Sequence, residues 1–253
     1  MKITFLGTGT SQGMPVIACP CPICQSTDPR DWRLRTSALI EHQGINIVID
    51  AGPDFRQQML RAKVKTLHAI LLTHEHRDHI SGLDDVRAYN WLQKRPMDIW
   101  GEDRVLTELK REYSYVFAEH KYPGIPEFEL HSIDGQAFDV MGITITPIRV
   151  YHYKLPIYGF RIGDLTYITD ANFIPEEEKE KIIGTKYLVI NALRMQKHIS
   201  HFSLPEALEL ISQLSPRKAF ITHIGHQMGF HNDISKSLPE NVCLAYDGLE
   251  LEF

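Results

Sequence analysis

Nine consecutive residues, Leu71-Leu72-Thr73-His74-Glu75-His76-Arg77-Asp78-His79, constrain this chain more than any other stretch of it. His74, His76, His79 and Asp78 fall within six positions, directly after the apolar run Ala69-Ile70-Leu71-Leu72. A run that short reads as a buried strand, so the polar residues follow on a loop at its end rather than on a helix. Imidazole nitrogen and carboxylate oxygen suit zinc, manganese, iron or nickel, and a ligand set without thiolate points to a hydrolytic centre.

Two other readings of the run fail on spacing. The zincin motif H-E-x-x-H needs a histidine four residues after His74, where Asp78 stands. His76-Arg77-Asp78 opens like a kinase catalytic loop, but Gly7, Gly9 and Gly13 miss the kinase glycine spacing because Gln12 occupies the third glycine position. With 253 residues and 43% hydrophobic content, the chain can bury a large core, and residues 1–253 are expected to form a single domain. No apolar run reaches the length of a membrane span, and Gly7 and Gly9 interrupt the Ile3–Leu6 stretch too early for a signal-peptide core. The expectation is a cytoplasmic protein. A net charge of -5 argues against broad electrostatic capture of nucleic acid and favours a small-molecule substrate.

Strand-like runs recur at Lys2–Leu6, Ser37–Glu41, Ile45–Ile49, Ala69–Leu72, Ile143–Val150, Ile157–Ile162, Leu165–Ile168, Tyr187–Ile190, Lys218–Ile221 and Val242–Tyr246. Helical patterns fall at Pro53–Arg61, Asp84–Lys94, Arg104–Phe117, Pro175–Ile183 and Leu204–Leu214. The last is the best signalled, with Ser203 as N-cap, Pro205 early in the helix and Glu206 as capping-box partner. This alternation predicts an α/β protein whose sheets are covered by helices. Three strands end in an aliphatic residue, a threonine and then a metal-binding residue: Leu72-Thr73-His74, Ile168-Thr169-Asp170 and Ile221-Thr222-His223. A fourth run, Ile143 to Tyr151, ends at His152. Ligands at the ends of several strands can converge on one rim of a sheet, as an active site requires.

Together these residues resemble the metallo-β-lactamase superfamily, whose H-x-H-x-D-H signature stands here as His74-x-His76-x-Asp78-His79. The resemblance covers essentially the whole chain and implies an αββα sandwich with a dinuclear site at one edge. It implies one divalent ion held by His74, His76, His152 and Asp170, and a second held by Asp78, His79, His223 and Asp170. Zinc and manganese both fit such ligands. Asp50, in Ile49-Asp50-Ala51-Gly52, resembles a superfamily position whose carboxylate orients a ligand histidine, and a turn cap before Gly52 is the rival reading.

Cys19-Pro20-Cys21-Pro22-Ile23-Cys24 is too compact for easy mutual disulfides and well suited to wrap one zinc as thiolates. Cys243 lies far off in an apolar run and is expected to be core. His226 supplies a fourth ligand, and the Cys19, Cys21, Cys24 and His226 set is similar to the structural zinc of PhnP-type phosphodiesterases. Phe5-Leu6-Gly7-Thr8-Gly9-Thr10-Ser11, Asp50-Ala51-Gly52-Pro53-Asp54-Phe55 and Ser200-His201-Phe202-Ser203-Leu204 are also similar to that subfamily. His201 stands at the position of its catalytic histidine, with His198 a competing candidate for proton donor.

The resemblance therefore implies a phosphodiesterase that cleaves small cyclic or nucleotide-like phosphodiesters through a metal-bridging hydroxide, with His201 and the ligand Asp78 as catalytic residues. Arg194 and Lys197 could add positive charge near the phosphate, or be solvated loop charges. Three other readings stay open: a tRNA 3′-processing endonuclease, a PqqB-type protein, and a non-catalytic metal-binding protein on the same scaffold. The endonuclease lacks support from any glycine- and proline-rich insertion or from the acidic balance. Oligomeric state, a homodimer included, is not fixed by the sequence.

Overall fold

The computed structural model describes residues 1–253. The chain divides into two compact units: Met1–Gly7 with Ser37–Asp134 and Gly248–Phe253, and Thr8–Thr36 with Gly135–Asp247. Each unit carries one seven-stranded sheet and its own helices.

In the first unit the strands are β1 (Lys2–Gly7), β2 (Ser37–His42), β3 (Ile45–Ile49), β4 (Ala69–Leu71), β5 (Met97–Gly101), β6 (Phe128–Ser132) and β14 (Glu250–Glu252). They lie in the order β14-β1-β2-β3-β4-β5-β6. β2 and β3 are joined by Gln43 and Gly44, both at positive φ (48° and 83°), the two-residue hairpin turn whose twist matches that of the strands. From β3 to β6 the pairs are parallel, so each connection must cross over the sheet. Helices α1 (Phe55–Ala62), α2 (Arg77–Ile80), α3 (Arg87–Gln93) and α4 (Asp103–Glu112) lie in those crossovers. Phe55 and Met59 of α1 and Val105 and Leu109 of α4 share one buried cluster with Val48, Ile70 and Ile99 of the strands. Ile47, Ile49, Ala69 and Leu71, on the alternate positions, are fully buried too, so both faces of these parallel strands are apolar.

The second unit repeats the plan with β7 (Phe138–Val140), β8 (Ile143–His152), β9 (Leu155–Ile162), β10 (Leu165–Ile168), β11 (Tyr187–Asn191), β12 (Lys218–Thr222) and β13 (Val242–Leu244). The strands follow one another in sequence order across the sheet, antiparallel from β7 to β10 and parallel from β10 to β13. The helices are α5 (Glu176–Lys179), α6 (Leu204–Leu214) and α7 (His231–Ser237). Leu204, Ala207, Leu210 and Ile211 of α6 share a buried cluster with Ile168, Ile190 and Ile221. Each such leucine or isoleucine side chain contributes about 1.5–3 kcal/mol by leaving water.

All ten expected strands form, and α6 has the predicted bounds, with the Ser203 side chain and Glu206 capping each other. Four strands were not foreseen: β5, β6, β7 and β14. Asp84–Lys94 is broken into a 3-10 turn, Leu83–Val86, and α3, while Arg104–Phe117 ends early at Glu112. One expectation is corrected at the motif itself. Asp78 and His79 are not on an open loop but inside the single turn α2, whose N-cap is His76.

That turn is packed against the Asp50–Gly52 backbone. Ala51 N–H donates to His79 O at 2.7 Å and Gly82 N–H donates to Ala51 O at 2.9 Å. A Cβ on Gly52 would stand 1.9 Å from Asp78 O, and one on Gly82 would stand 2.0 Å from Gly52 O, so both positions need glycine for close approach of backbone. Gly52→Ala is expected to push α2 away, lowering stability by more than about 2 kcal/mol. Thermal melts should show a lower Tm, and elemental analysis should show reduced metal content. Unchanged values for both would mean that the close approach does not position α2.

Candidate metal centres

In the first unit the histidine motif is built around Asp50, a fully buried carboxylate at the end of β3. Asp50 has φ 62°, a left-handed conformation that aspartate tolerates better than most residues. Its Oδ1 accepts the Thr73 N–H at 2.9 Å. Its Oδ2 accepts the Thr73 hydroxyl at 2.8 Å and His79 Nδ1 at 2.7 Å. Since the Thr73 hydroxyl donates to Asp50, its oxygen is left to accept His74 Nδ1 at 2.9 Å. One carboxylate thus fixes the tautomers of two histidines, putting the proton of each on Nδ1 and the lone pair on Nε2. Burial pushes the Asp50 carboxyl above the usual carboxylate range, and the neighbouring His79 pulls it back.

The ring centroids of His74 and His76 are 4.5 Å apart, those of His74 and His79 4.2 Å. Asp78 Oδ2 stands 3.1 Å from His79 Nε2. Glu75, between the two motif histidines, pairs with Arg104 of α4. The unit therefore gathers His74, His76, Asp78, His79 and Asp50, all expected from the sequence. Thr73, Gly82 and Arg104 also position the cluster. Only the threonine left a sequence signal, the repeated aliphatic-threonine-ligand pattern.

In the second unit three strand ends deliver the remaining residues. Asp170 and His223 follow β10 and β12 with φ 59° and 54°, and His152 closes β8. Asp170 Oδ2 accepts the Thr169 hydroxyl at 2.7 Å. Its Oδ1 lies 3.0 Å from His223 Nε2 and 3.8 Å from His201 Nδ1. His152 Nδ1 shares its proton between Asp170 O at 2.8 Å and Ser200 O at 2.9 Å, which again leaves the lone pair on Nε2. The turn after Asp170 is clasped by Asn191, whose Oδ1 accepts Ala171 N–H at 2.8 Å and whose Nδ2 donates to Ala171 O at 2.9 Å. Asn191 carried no sequence signal.

His201 is 8% exposed, with its ring 4.6 Å from that of His152 and 4.8 Å from that of His223. Ligand atoms of His152, Asp170 and His201 lie within 4.8 Å of one another. Burial, with the His223 ring beside it, pushes His201 down to about 3 against the pull of Asp170. His198 stacks 5.3 Å outside it, and burial lowers its pKa as well. Of the two, His201 is the one near Asp170, with Nδ1 3.8 Å from Asp170 Oδ1.

A second ligand set lies in the same unit. Cys19, Cys21 and Cys24 present Sγ atoms 3.4, 3.4 and 3.5 Å from His226 Nδ1. Tetrahedral zinc with Zn–S of ~2.3 Å and Zn–N of ~2.0 Å separates S from N by ~3.5 Å, so the donor atoms already have the required spacing. The Cys24 N–H, 3.4 Å away, holds the Cys21 thiol down at about 6, while burial pushes the Cys24 thiol up to about 11. Cys243 is apart from them on β13 and half-buried rather than fully in the core.

Residues 45–224 match the family described as beta-lactamase superfamily domain. A crystal structure described as a new diphosphatase from the PhnP family superposes with a TM-score of 0.93 and 36% identity, over 100% of this chain and 97% of that one. Zinc-bound PqqB from Methylobacterium extorquens matches in fold, with a TM-score of 0.83 and 17% identity over the full length of both chains. Among curated relatives, a protein of Porphyromonas gingivalis named octanoyltransferase is 40% identical over 99% of this chain. The chain spans 51% of that relative's length. Ribonuclease Z of Mycobacterium sp. strain KMS is 26% identical over 77% of this chain and 69% of its own.

Substitution of Cys21 by serine should remove metal from the cysteine cluster and lower Tm, while metal bound by the histidine and aspartate residues stays. Elemental analysis of the zinc-loaded variant checks this. Loss of the other metal alone would reverse the division between the two ligand sets.

Proposed function

Starting from a chain that belongs to the beta-lactamase superfamily and, within it, to the PhnP-like group, we propose a metal-dependent hydrolase that cleaves small cyclic or nucleotide-like phosphodiesters. The observation that carries this reading is the buried His201, its ring centroid 4.6 Å from that of His152 and 4.8 Å from that of His223, with Asp170 Oδ1 3.8 Å from its Nδ1. The whole-length likeness to the PhnP-family diphosphatase supports phosphorus as the centre attacked. We read residues 1–253 as one domain of two halves, because the family match runs through residues of both.

In this reading His74, His76, His152 and Asp170 hold one divalent ion, and Asp78, His79, His223 and Asp170 a second. Zinc or manganese suits the donors, and Cys19, Cys21, Cys24 and His226 hold a structural zinc. Divalent ions in such a site generate a nucleophile from water at neutral pH and neutralise phosphoryl oxygens. The protein's own groups do the rest. Asp50 keeps Nε2 of both His79 and His74 unprotonated for ligation. Asp170 and Asp78 contribute the negative charge that favours divalent cations in the site. His201 is the proposed proton donor: protonated once the negative charge of a bound phosphodiester raises its affinity for a proton, it gives that proton to the leaving oxygen and returns to the neutral imidazole.

Three thiols held as a ligand set suit a reducing compartment, so the cytoplasm is the proposed location. No helix is long and apolar enough to cross a membrane. A second reading follows from the 40% identity to the octanoyltransferase-named relative: hydrolysis of an octanoyl ester or thioester. The activity in that printed name can reside in the half of the relative that this chain does not span. A panel of 2′,3′-cyclic nucleotides, bis(4-nitrophenyl) phosphate, a precursor tRNA and octanoyl-coenzyme A separates these readings. Turnover of octanoyl-coenzyme A or tRNA without turnover of the small phosphodiesters would overturn the phosphodiesterase.

On the phosphodiester that is turned over, His201→Ala should lower kcat by about 10²–10⁴-fold with metal content unchanged, the usual range for loss of a proton donor. Full activity in that variant would remove His201 from the mechanism. Asp170→Asn should lower both activity and metal content.

A further inference from the structure

The segment that carries His198 and His201 has almost no apolar anchoring. Met195, Gln196, Lys197 and Ile199 are exposed, so its shape depends on a few hydrogen bonds. Its stem is closed by Leu193 N–H to Phe202 O at 2.9 Å and Leu204 N–H to Arg194 O at 2.9 Å. Within the loop, the Arg194 guanidinium donates from Nε to Gln196 O at 3.2 Å and from Nη2 to Lys197 O at 2.9 Å. Its remaining branch, Nη1, donates to Gln227 Oε1 at 2.9 Å. Gln227 is the residue after His226, the histidine of the cysteine cluster. On the other side of His226, Gly225 N–H donates to Leu193 O at 2.9 Å, an approach so close that a Cβ on Gly225 would stand 3.2 Å from that oxygen. The far end of the loop is tied by His152 Nδ1 to Ser200 O.

The geometry points to a positioning role for Arg194 and Gln227: through them the Cys19, Cys21, Cys24 and His226 cluster sets the 194–201 loop that presents His201. Arg194 acts as a brace, three of its five N–H groups being engaged by the loop and by Gln227. Cys19, Cys21, Cys24 and His226 would fix the His226–Gln227 turn when they hold zinc, Gln227 holds the guanidinium, and the guanidinium holds two successive carbonyls of the loop. The part concerning catalysis rests on the phosphodiesterase reading; the mechanical coupling does not.

Hydrogen exchange followed by mass spectrometry on the zinc-loaded, full-length protein tests the coupling without any substrate. Gln227→Ala should speed exchange of the hydrogen-bonded amides that close the loop, Leu193, Phe202 and Leu204, about tenfold or more, the loss of one hydrogen bond to a charged group, and leave α6 beyond its first turn unchanged. Gln227→Glu, which keeps an acceptor oxygen, should restore protection, and Arg194→Met should reproduce the loosening. A thiol-directed mercurial, which bonds to the cysteine sulfurs and so releases the ion they hold while leaving histidine- and aspartate-bound ions in place, should loosen the same peptides in the native protein. It should add little further loosening in Gln227→Ala. On bis(4-nitrophenyl) phosphate, Gln227→Ala should lower kcat about tenfold with KM little changed. Native exchange rates for the Leu193, Phe202 and Leu204 amides in Gln227→Ala, or fully additive effects of the mercurial and the substitution, would overturn the coupling. Absence of turnover in the native protein would count against the phosphodiesterase alone.

Discussion

The geometry of the first unit depends on one buried carboxylate. Asp50 has no access to solvent and would be costly if unpartnered, yet it accepts three hydrogen bonds, two from Thr73 and one from His79, and reaches His74 through the Thr73 hydroxyl. A backbone turn of left-handed φ at Asp50 is needed to aim the carboxylate back at the strand end. Gly52 and Gly82 then let α2 lie directly on that turn. Ligand direction, tautomer and backbone packing are therefore parts of one network, and an error in any of them moves the histidines.

The second unit reaches a similar end by different means. His152 is oriented by two backbone carbonyls, Asp170 O and Ser200 O, rather than by a carboxylate. Asp170 is set by Thr169 and by the Asn191 clasp on its neighbour Ala171. Backbone strain recurs at the ligand positions, with Asp170 and His223 both at positive φ, as at Asp50. Strain of this kind, about 1–3 kcal/mol per residue, persists where packing and hydrogen bonds over-determine the site. The parallel strands supply that rigidity, and the candidate ligands sit at or just beyond strand ends.

Much of this was legible in the residues. The motif at His74–His79, the aliphatic-threonine-ligand pattern and the Cys19–Cys24 spacing each have a chemical reason to exist, so they survive without knowledge of the fold. The capping box at Ser203 and Glu206 was readable because it is local. The four missed strands are the polar or short ones. β14 is Glu250-Leu251-Glu252, whose charges suit an edge position. β5 and β6 carry Asp98 and His131, which pair at 2.7 Å across the strands, so their polarity has a partner no periodicity scan can see. The helical turn at Asp78 and the clasp of Asn191 arise from tertiary contacts. So does the direction of the Arg194 guanidinium, which composition alone would assign to solvent or substrate.

Anomalous X-ray scattering from crystals of the zinc-loaded protein tests the central claim most directly. The account predicts a peak about 2.3 Å from the sulfurs of Cys19, Cys21 and Cys24. It also predicts peaks at coordination distance from Nε2 of His74, His79 and His152 and from the carboxylate of Asp170. Density at the cysteines with none at those histidines, or histidine nitrogens ligating through Nδ1 where Asp50 and Thr73 now hold them, would contradict it.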